Sequence, residues 1–204
     1  MNSLRAELLG TGPKSVPDFT IMLPSGWAEY DASAASEKKL LALASGRLRN
    51  QHRPDLSAQL RAITGRAFDG MRSANTEKIY LQTEAWADDL ILPLTITASV
   101  RTSPAGASLD EYVVDLIRTH GATALRDDQR FVRWQSRSNV SLGTATVGQR
   151  TVAYLTPFPS DARTHALQFT AVAVHPLGEA DLPIIDEMFL LVDAIVSTFA
   201  WIPS

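Results

Sequence analysis

The sequence predicts an α+β fold, a three-layer α/β/α sandwich in which helices cover both faces of a mostly antiparallel sheet. Three observations support this prediction. Alternating apolar and polar residues mark about seven strands, amphipathic periods mark the helices, and the last strands follow one another through short connections. Because 45% of the 204 residues are hydrophobic, we expect a single domain over residues 1–204, with a flexible N-terminal segment over residues 1–17.

The first strand lies in "FTIMLPSGWAEYD", where Phe19, Ile21 and Leu23 share one parity. The turn-forming residues Pro24–Gly26 end it. Trp27 then has two interpretations, a large side chain folded over the end of the sheet or a ring that stacks on a ligand. The strand itself is expected to bury one face.

Two helices are predicted next, as a helical insertion over residues 34–74 between the first and second strands. One runs from Ser36 to Gln51, and the other follows Pro54 with Asp55 placed to cap it. Apolar residues recur at spacings of three or four: Leu40, Leu41, Ala44, Leu48, Leu56, Leu60, Ile63, Ala67 and Met71. We expect these residues to face the core and the arginines to face solvent.

Strands resume at Lys78–Thr83 and continue with the most regular alternation in the chain. That alternation places one set of residues in the core layer, namely Leu92, Leu94, Ile96, Ala98 and Val100, and faces Thr95, Thr97 and Ser99 the other way. Ser108 is expected to cap a third helix, which ends at His120 and Gly121.

An antiparallel meander of four strands is predicted after the third helix. Its segments are Arg130–Gln135, Val140–Thr146, Arg150–Phe158 and His165–Val174. The second and third should join through a tight hairpin at residues 147–149, with Gly148 relieving the backbone. A closing helix from about Leu182 to Phe199 has a wide apolar stripe and should lie across the sheet.

The order of elements, "LPSGW" at residues 23–27 and the ending "IVSTFAW" at residues 195–201 carry a resemblance. Over residues 19–201 the chain resembles the PsbP/Mog-type sandwich superfamily, which includes LpqN-like and DcrB-like proteins. The resemblance implies a three-layer sandwich. It also implies a non-enzymatic binding, assembly or chaperone role.

The sequence contains no recognisable signature of catalysis or of metal binding. The chain has no cysteine, and its four histidines lack the spacing of a helical metal pair. No G-x-S-x-G run occurs, and "GTATVG" has the glycine spacing of a phosphate loop but continues with Gln149 and Arg150 in place of Lys and Ser or Thr. We therefore predict no catalytic residue, no cofactor-binding residue, no metal site and no cofactor.

Charge is uneven along the chain. Residues 36–78 carry a net charge of +5, which leaves −8 for the remainder of a chain whose formal charge is −3. This segment is either a solvated helical face or a docking surface for an acidic protein partner. The candidate partner-binding residues are Arg47, Arg49, Arg61, Arg66 and Trp86. Trp86 either folds onto the sheet edge or stands exposed as an interface anchor.

The leading functional hypothesis is a non-enzymatic protein-binding module, such as an adaptor or chaperone, with a homo-oligomer left open. The alternative is a small-molecule or lipid-binding domain with a pocket between the sheet and the C-terminal helix. An enzyme of unknown class ranks third. Because the sequence shows no nucleic-acid motif, no signal peptide and no apolar stretch of membrane-spanning length, we expect a cytoplasmic protein that binds neither nucleic acid nor membrane.

Overall fold

A computed structural model describes residues 16–50, 56–103, 108–142, 145–159, 163–179 and 181–203. Its helices are α1 (Ala34–Asn50), α2 (Ser57–Ser73), α3 (Leu109–His120) and α4 (Pro183–Ser197). Its strands are β1 (Phe19–Thr20), β2 (Trp27–Tyr30), β3 (Thr76–Gln82), β4 (Leu94–Thr102), β5 (Thr123–Leu125), β6 (Asp128–Leu142), β7 (Ala145–Pro157), β8 (His165–His175) and β9 (Ala200–Trp201). The predicted flexible segment lies outside the described residues, except for residues 16 and 17.

Seven of these strands form one antiparallel sheet in the order β2-β3-β4-β8-β7-β6-β5. The two remaining strands, β1 and β9, pair with each other. Helices lie on both faces of the large sheet, so the predicted α+β sandwich is confirmed.

One face of the sheet packs against α4 and holds the main core. Strand residues such as Ile96, Tyr154 and Phe169 form one buried cluster with Val192 and Val196 of α4, and all five are fully or almost fully excluded from solvent. Aromatic rings close the end of this cluster, namely those of Phe19, Phe131, Phe158, Phe199 and Trp201. In the described part of the chain, the space under the C-terminal helix is therefore filled with side chains, which argues against the pocket that the alternative hypothesis places there.

The opposite face carries two smaller clusters. Leu109 and Leu116 of α3 pack with Leu155 of β7 at one end. At the other end, Phe68 of α2 packs with Tyr30 of β2 and Ile79 of β3. Neighbouring residues of one strand serve different faces, since Ile79 joins the smaller cluster while the next residue, Tyr80, joins the main core. This alternation produces the three layers.

The predicted helices are observed with ends shifted by a few residues. Ser108 caps α3 by accepting a hydrogen bond from the backbone N–H of Glu111. Gly121 ends the same helix with φ of +61°, in the left-handed region that favours glycine. Asp55, the predicted cap of α2, lies outside the described residues.

The alternation predicted for β4 is confirmed. Leu94, Ile96 and Ala98 are buried in the main core, Leu92 joins them from just before the strand, and Val100 packs against the same cluster. Hydroxyl side chains of the strand alternate to the other face, as the sequence predicts. The central strand therefore separates the closed face from the face that carries the two smaller clusters.

Three strand predictions are corrected by the structure. The segment predicted at 130–135 and the start of the one predicted at 140–146 belong to one long strand, β6, which ends at Leu142, whereas Ala145 and Thr146 begin β7. The predicted hairpin at 147–149 is wrong, because Gly148 lies within β7 opposite Asn139, and the two strands meet between Leu142 and Ala145. The first predicted strand pairs only over Phe19–Thr20, so the sheet edge is formed instead by β2.

Over the described ranges, no helix combines the length and apolar character needed to cross a bilayer.

Candidate functional site: a groove under the helical hairpin

The helical hairpin formed by α1 and α2 is packed loosely on the sheet. Among the described side chains of these two helices, Phe68 alone is buried. Of the nine residues predicted to face the core from this segment, Ala67 is exposed and the others are only half-buried, namely Leu40, Leu41, Ala44, Leu48, Leu56, Leu60, Ile63 and Met71. Leu43 is 43% exposed. By contrast, α4 buries seven residues in a helix of 15. Much apolar surface of the hairpin therefore faces an open space.

That space is a groove between the hairpin and the sheet, here called the hairpin groove, with a volume of about 560 Å³. Its apolar walls and floor include Leu40, Leu43, Ile63, Met71, Leu81 and Val172. Ligand pockets in proteins typically have volumes of about 300 to 1,000 Å³ and mainly apolar linings. The hairpin groove matches both properties.

Strand β8 explains why the sheet offers an apolar floor. Its sequence "HALQFTAVAV" is apolar at consecutive positions, as expected for a strand in the middle of a sheet. Ala171 and Ala173 point into the main core, whereas Val172 and Val174 point into the hairpin groove. An apolar surface thus remains on the side that α4 does not cover.

Arg47 is the one charged residue among the described residues that line the groove, and no Asp or Glu lines it. Its guanidinium Nη2 donates a hydrogen bond to the backbone carbonyl of Thr83, at 2.7 Å. The groove therefore combines an apolar interior with a single positive charge, held at its rim by an exposed side chain.

Gln82 is buried beside the groove and shapes its wall. Its amide nitrogen donates to the carbonyl oxygens of Glu84 and Leu90, at 2.9 and 3.0 Å. Its side-chain oxygen accepts from the backbone N–H of Leu92, at 2.9 Å. These bonds tie the connection between β3 and β4 to the sheet, so that the groove wall is fixed by polar contacts as well as packing.

The residues predicted to bind a partner are not gathered into one site. Arg47 lies at the hairpin groove, whereas Arg61 and Arg66 are exposed on α2. Arg49 lies in α1, but its side chain is not among the described ones. Trp86 is half-buried against the main core, and its indole N–H donates to the carbonyl of Ser25 at 2.7 Å. This contact agrees with a ring folded onto the sheet edge.

Trp27 is buried in the edge strand β2 and packs into the main core. Its indole N–H has no hydrogen-bond acceptor among the described residues. Of the two interpretations of this residue, the structure therefore supports a side chain that covers the end of the sheet.

A buried polar cluster links α4 to the sheet. Asp193 is 6% exposed and accepts hydrogen bonds from the Tyr154 hydroxyl and from Arg133 Nε, the latter at 2.8 Å. Burial, followed by the hydrogen bond and the charge of Asp193, raises the pKa of Tyr154 above its ordinary value. Because the polar groups of this cluster bond to one another inside the core, the cluster stabilises the position of α4.

Within the described part of the chain, no group of three or more His, Asp or Glu side chains is arranged to hold a metal ion.

The hairpin groove was not predicted from the sequence, where the alternative hypothesis placed a pocket under the C-terminal helix instead. Its local signals were the consecutive apolar residues of β8 and the helix residue Leu43, which lies beside the predicted apolar stripe. Neither signal reveals how closely the hairpin approaches the sheet.

Comparisons with known proteins give a resemblance at the level of the fold. No protein-family model matches the chain, and neither does any curated protein. A similar solved structure is that of LpqN from Mycobacterium tuberculosis, described as involved in cell envelope biogenesis. The identity is 14%, the match covers 94% of this chain and 87% of that chain, and the TM-score is 0.46.

Proposed function

We propose that this chain is a non-enzymatic binding protein whose hairpin groove holds an apolar, single-chain ligand. The observation that supports the proposal is the groove itself, an open space of about 560 Å³ with a mainly apolar lining. A ligand there would cover side chains that folding leaves half exposed. Removing apolar surface from water contributes about 25 cal/mol per Å², which is partly offset by the freedom that the ligand loses on binding.

The two faces of the sheet differ in a way that favours this function. The face under α4 is closed and densely packed, whereas apolar residues of the hairpin that line the groove, such as Leu40 and Ile63, remain only half-buried. An exposed apolar surface next to a concave space is typical of a binding site. The proposed division is therefore one face for stability and the other for binding.

A pair of matched substitutions on α1 tests the proposal. Ala44 lines the groove and is half-buried, whereas Ala42 is exposed and does not line it. We expect a neutral, environment-sensitive dye such as Nile red to bind the wild type saturably. Ala44→Trp should weaken this binding about tenfold or more, equivalent to about 1.4 kcal/mol, because the indole fills the groove.

The control is Ala42→Trp, which adds the same ring to the outer face of the same helix and should leave dye binding unchanged. Thermal melts of both variants check that they remain folded. The proposal is wrong if the wild type does not bind the dye, or if both variants bind it as the wild type does.

A second candidate function is the binding of an acidic protein partner by the outer surface of α2. Arg61 and Arg66 are exposed and have no ion-pair or hydrogen-bond partner among the described residues, whereas Arg72 bonds to both Glu37 and Asp69. Exposed charges that are not neutralised within the chain steer the approach of an oppositely charged partner. This observation favours a docking surface over a purely structural role for the two arginines.

Co-purification with the tagged chain tests this candidate. Replacing both Arg61 and Arg66 by Gln should release a partner that the wild type retains at low salt, and high salt should release it from the wild type. The control is Arg118→Gln, on the exposed side of α3. Light scattering shows in addition whether a second copy of the chain is the partner. Identical retention by the double variant and the wild type would refute the docking surface.

A further inference from the structure

We infer that the ligand of the hairpin groove is a single-chain amphiphile with a carboxylate head group, and that Arg47 binds this head group. The inference rests on the proposed function and specifies the chemical class of its ligand. Its basis is the combination of an apolar lining with one cation and no lining carboxylate. A cation beside an apolar space favours a ligand that is anionic at one end.

Arg47 is placed at the end of an apolar stripe. Leu40, Leu43 and Ala44 precede it on the groove side of α1 at helical spacing, and all four residues line the groove. A chain that lies along Leu40 and Leu43 therefore reaches the guanidinium at the rim. This arrangement would hold the acyl chain on the apolar walls and leave the polar head near solvent.

The guanidinium is oriented by the protein but retains donors for a ligand. It uses Nη2 to bond the Thr83 carbonyl, which is a neutral acceptor. An arginine has five N–H donors, and the remaining ones of Arg47 have no acceptor among the described residues. Since the bond to Thr83 already restrains the side chain, less conformational freedom would be lost when an anion binds.

Other polar groups of the groove are less suited to an anion. The amide nitrogen of Gln82 is engaged by two backbone carbonyls, and its oxygen accepts a backbone N–H. The threonines of the lining, such as Thr64 and Thr95, offer neutral hydroxyl groups. Arg47 is thus the group in the described lining that can compensate a full negative charge.

A single arginine matches a carboxylate better than a phosphate monoester. A carboxylate carries one negative charge and fits the planar guanidinium through paired hydrogen bonds. A phosphate monoester carries about −1.5 to −2 charges at neutral pH, so one arginine would leave it partly uncompensated on a chain whose formal charge is −3. The inference is therefore limited to carboxylates.

The test compares dodecanoate with dodecanol, which share a chain and differ in the charge of the head group. Calorimetric titrations are performed below the concentrations at which either compound aggregates. We expect the wild type to bind dodecanoate about tenfold or more tightly than dodecanol. Arg47→Gln should reduce the affinity for dodecanoate to that for dodecanol, while the affinity for dodecanol stays unchanged.

Two further variants serve as controls. Arg66→Gln removes an exposed arginine of the same hairpin that does not line the groove, and should retain the preference for dodecanoate. Arg47→Lys keeps the charge without the planar fork and should retain part of the preference. If Arg47→Gln does not fold, the inference is still tested by Arg47→Lys and by the comparison of dodecanoate with dodecanol on the wild type.

The outcomes separate this inference from the proposed function. If the wild type binds neither compound, the amphiphile assignment fails, and the dye titration decides separately whether the groove binds an apolar ligand. If it binds both equally, or if Arg47→Gln still prefers the acid, the head-group assignment is wrong and the apolar groove stands. Tighter binding of dodecyl phosphate than of dodecanoate overturns the carboxylate class. The inference is also overturned if the protein pellets with anionic vesicles but does not bind free dodecanoate, because the partner would then be a lipid surface.

Discussion

At the scale of single residues, Gly148 shows how a missing side chain permits a close contact between strands. It lies in β7 directly opposite His175 of β8. A Cβ atom added to Gly148 would lie 2.2 Å from Cε1 of the His175 ring. The ring itself is 9% exposed, and its Nδ1 donates to the carbonyl of Pro176 at 2.7 Å. The imidazole thus occupies the space that any other residue at position 148 would need.

We expect Gly148→Ala to lower the free energy of unfolding by about 1 to 3 kcal/mol, because an overpacked site forces side chains and backbone to shift. Denaturant titrations measure this change. The same substitution in a His175→Ala background should cost much less, since the ring it collides with is gone. Additive effects of the two substitutions would show that the contact does not determine the cost.

Glycine is also the residue whose role was hardest to predict from the sequence. Gly121 follows an amphipathic helix, so its left-handed conformation could be expected from its position. Gly148 stands between two apolar segments and was predicted to form a turn, but it lies in the middle of a strand. A glycine can be required by a positive φ or by a neighbouring group that approaches the backbone closely. The second requirement depends on a residue distant in sequence, so the local pattern does not reveal it.

At the scale of secondary structure, the elements with visible periodicity were predicted correctly. The four helices and the alternation of β4 follow from spacings within the elements themselves. Strands β2, β5 and β9 have only two to four residues, too few to show a period. Residues 135–139 of β6 are polar and exposed, and the prediction placed a connection between two strands at residues 136–139.

The candidate site was predicted only in part, for a similar reason. Arg47 was selected because of its charge, but its place at a groove depends on how far the hairpin stands from the sheet. That distance is set by contacts between elements, such as Phe68 with Ile79. No spacing within α1 or α2 contains this information.

The loose packing of the α1–α2 hairpin leads to a prediction about its local stability. Its described side chains include one buried residue, Phe68, and its ion pair between Arg72 and Glu37 is partly exposed. Exposed ion pairs contribute about 0 to 1 kcal/mol. Because elements with few buried apolar contacts open at low free-energy cost, we expect amide hydrogens in α1 and α2 to exchange faster than those in α4.

Hydrogen exchange followed by mass spectrometry measures this difference. A ligand in the hairpin groove should slow exchange in α1 and α2 and leave α4 unchanged, because α4 lies on the other face of the sheet. Equal protection of α1, α2 and α4 in the free protein would contradict the prediction.

At the scale of the whole molecule, the closed face is held by polar contacts as well as by apolar packing. Arg133 bonds to Asp193 and Arg150 bonds to Asp186, each at 2.8 Å, so α4 is tied to the sheet at two points. The Arg133–Asp193 pair is largely buried, and removing one partner of a buried ion pair typically costs about 3 to 5 kcal/mol, whereas Asp186 of the second pair is 63% exposed. Such contacts fix the position of α4, so the closed face provides a rigid base for the hairpin on the other side.

The same closed face makes the stability of the protein sensitive to alkaline pH through Tyr80 and Tyr154. Both side chains are completely buried. Burial raises the pKa of each hydroxyl above its ordinary value, and the negative charge of Glu29 raises the pKa of Tyr80 further, as the hydrogen bond and charge of Asp193 do for Tyr154. In the unfolded chain both tyrosines ionise near pH 10.

Above about pH 10 the unfolded state therefore binds fewer protons than the native state, and the free energy of unfolding must fall as the pH rises. The contribution of the two protonated tyrosines to stability is complete below the pKa of the unfolded chain. It is lost as the pH rises toward the raised pKa of the native protein. Each tyrosine lowers the free energy of unfolding by about 1.4 kcal/mol per pH unit in this range.

We expect Tyr80→Phe and Tyr154→Phe each to reduce the slope of the wild type by that amount. Urea titrations between pH 8 and about pH 12 measure the slopes, and below the unfolded pKa of about 10 the three proteins should show the same pH dependence. Parallel curves above pH 10 would contradict the prediction, because they would show that these tyrosines ionise as readily in the native protein as in the unfolded chain.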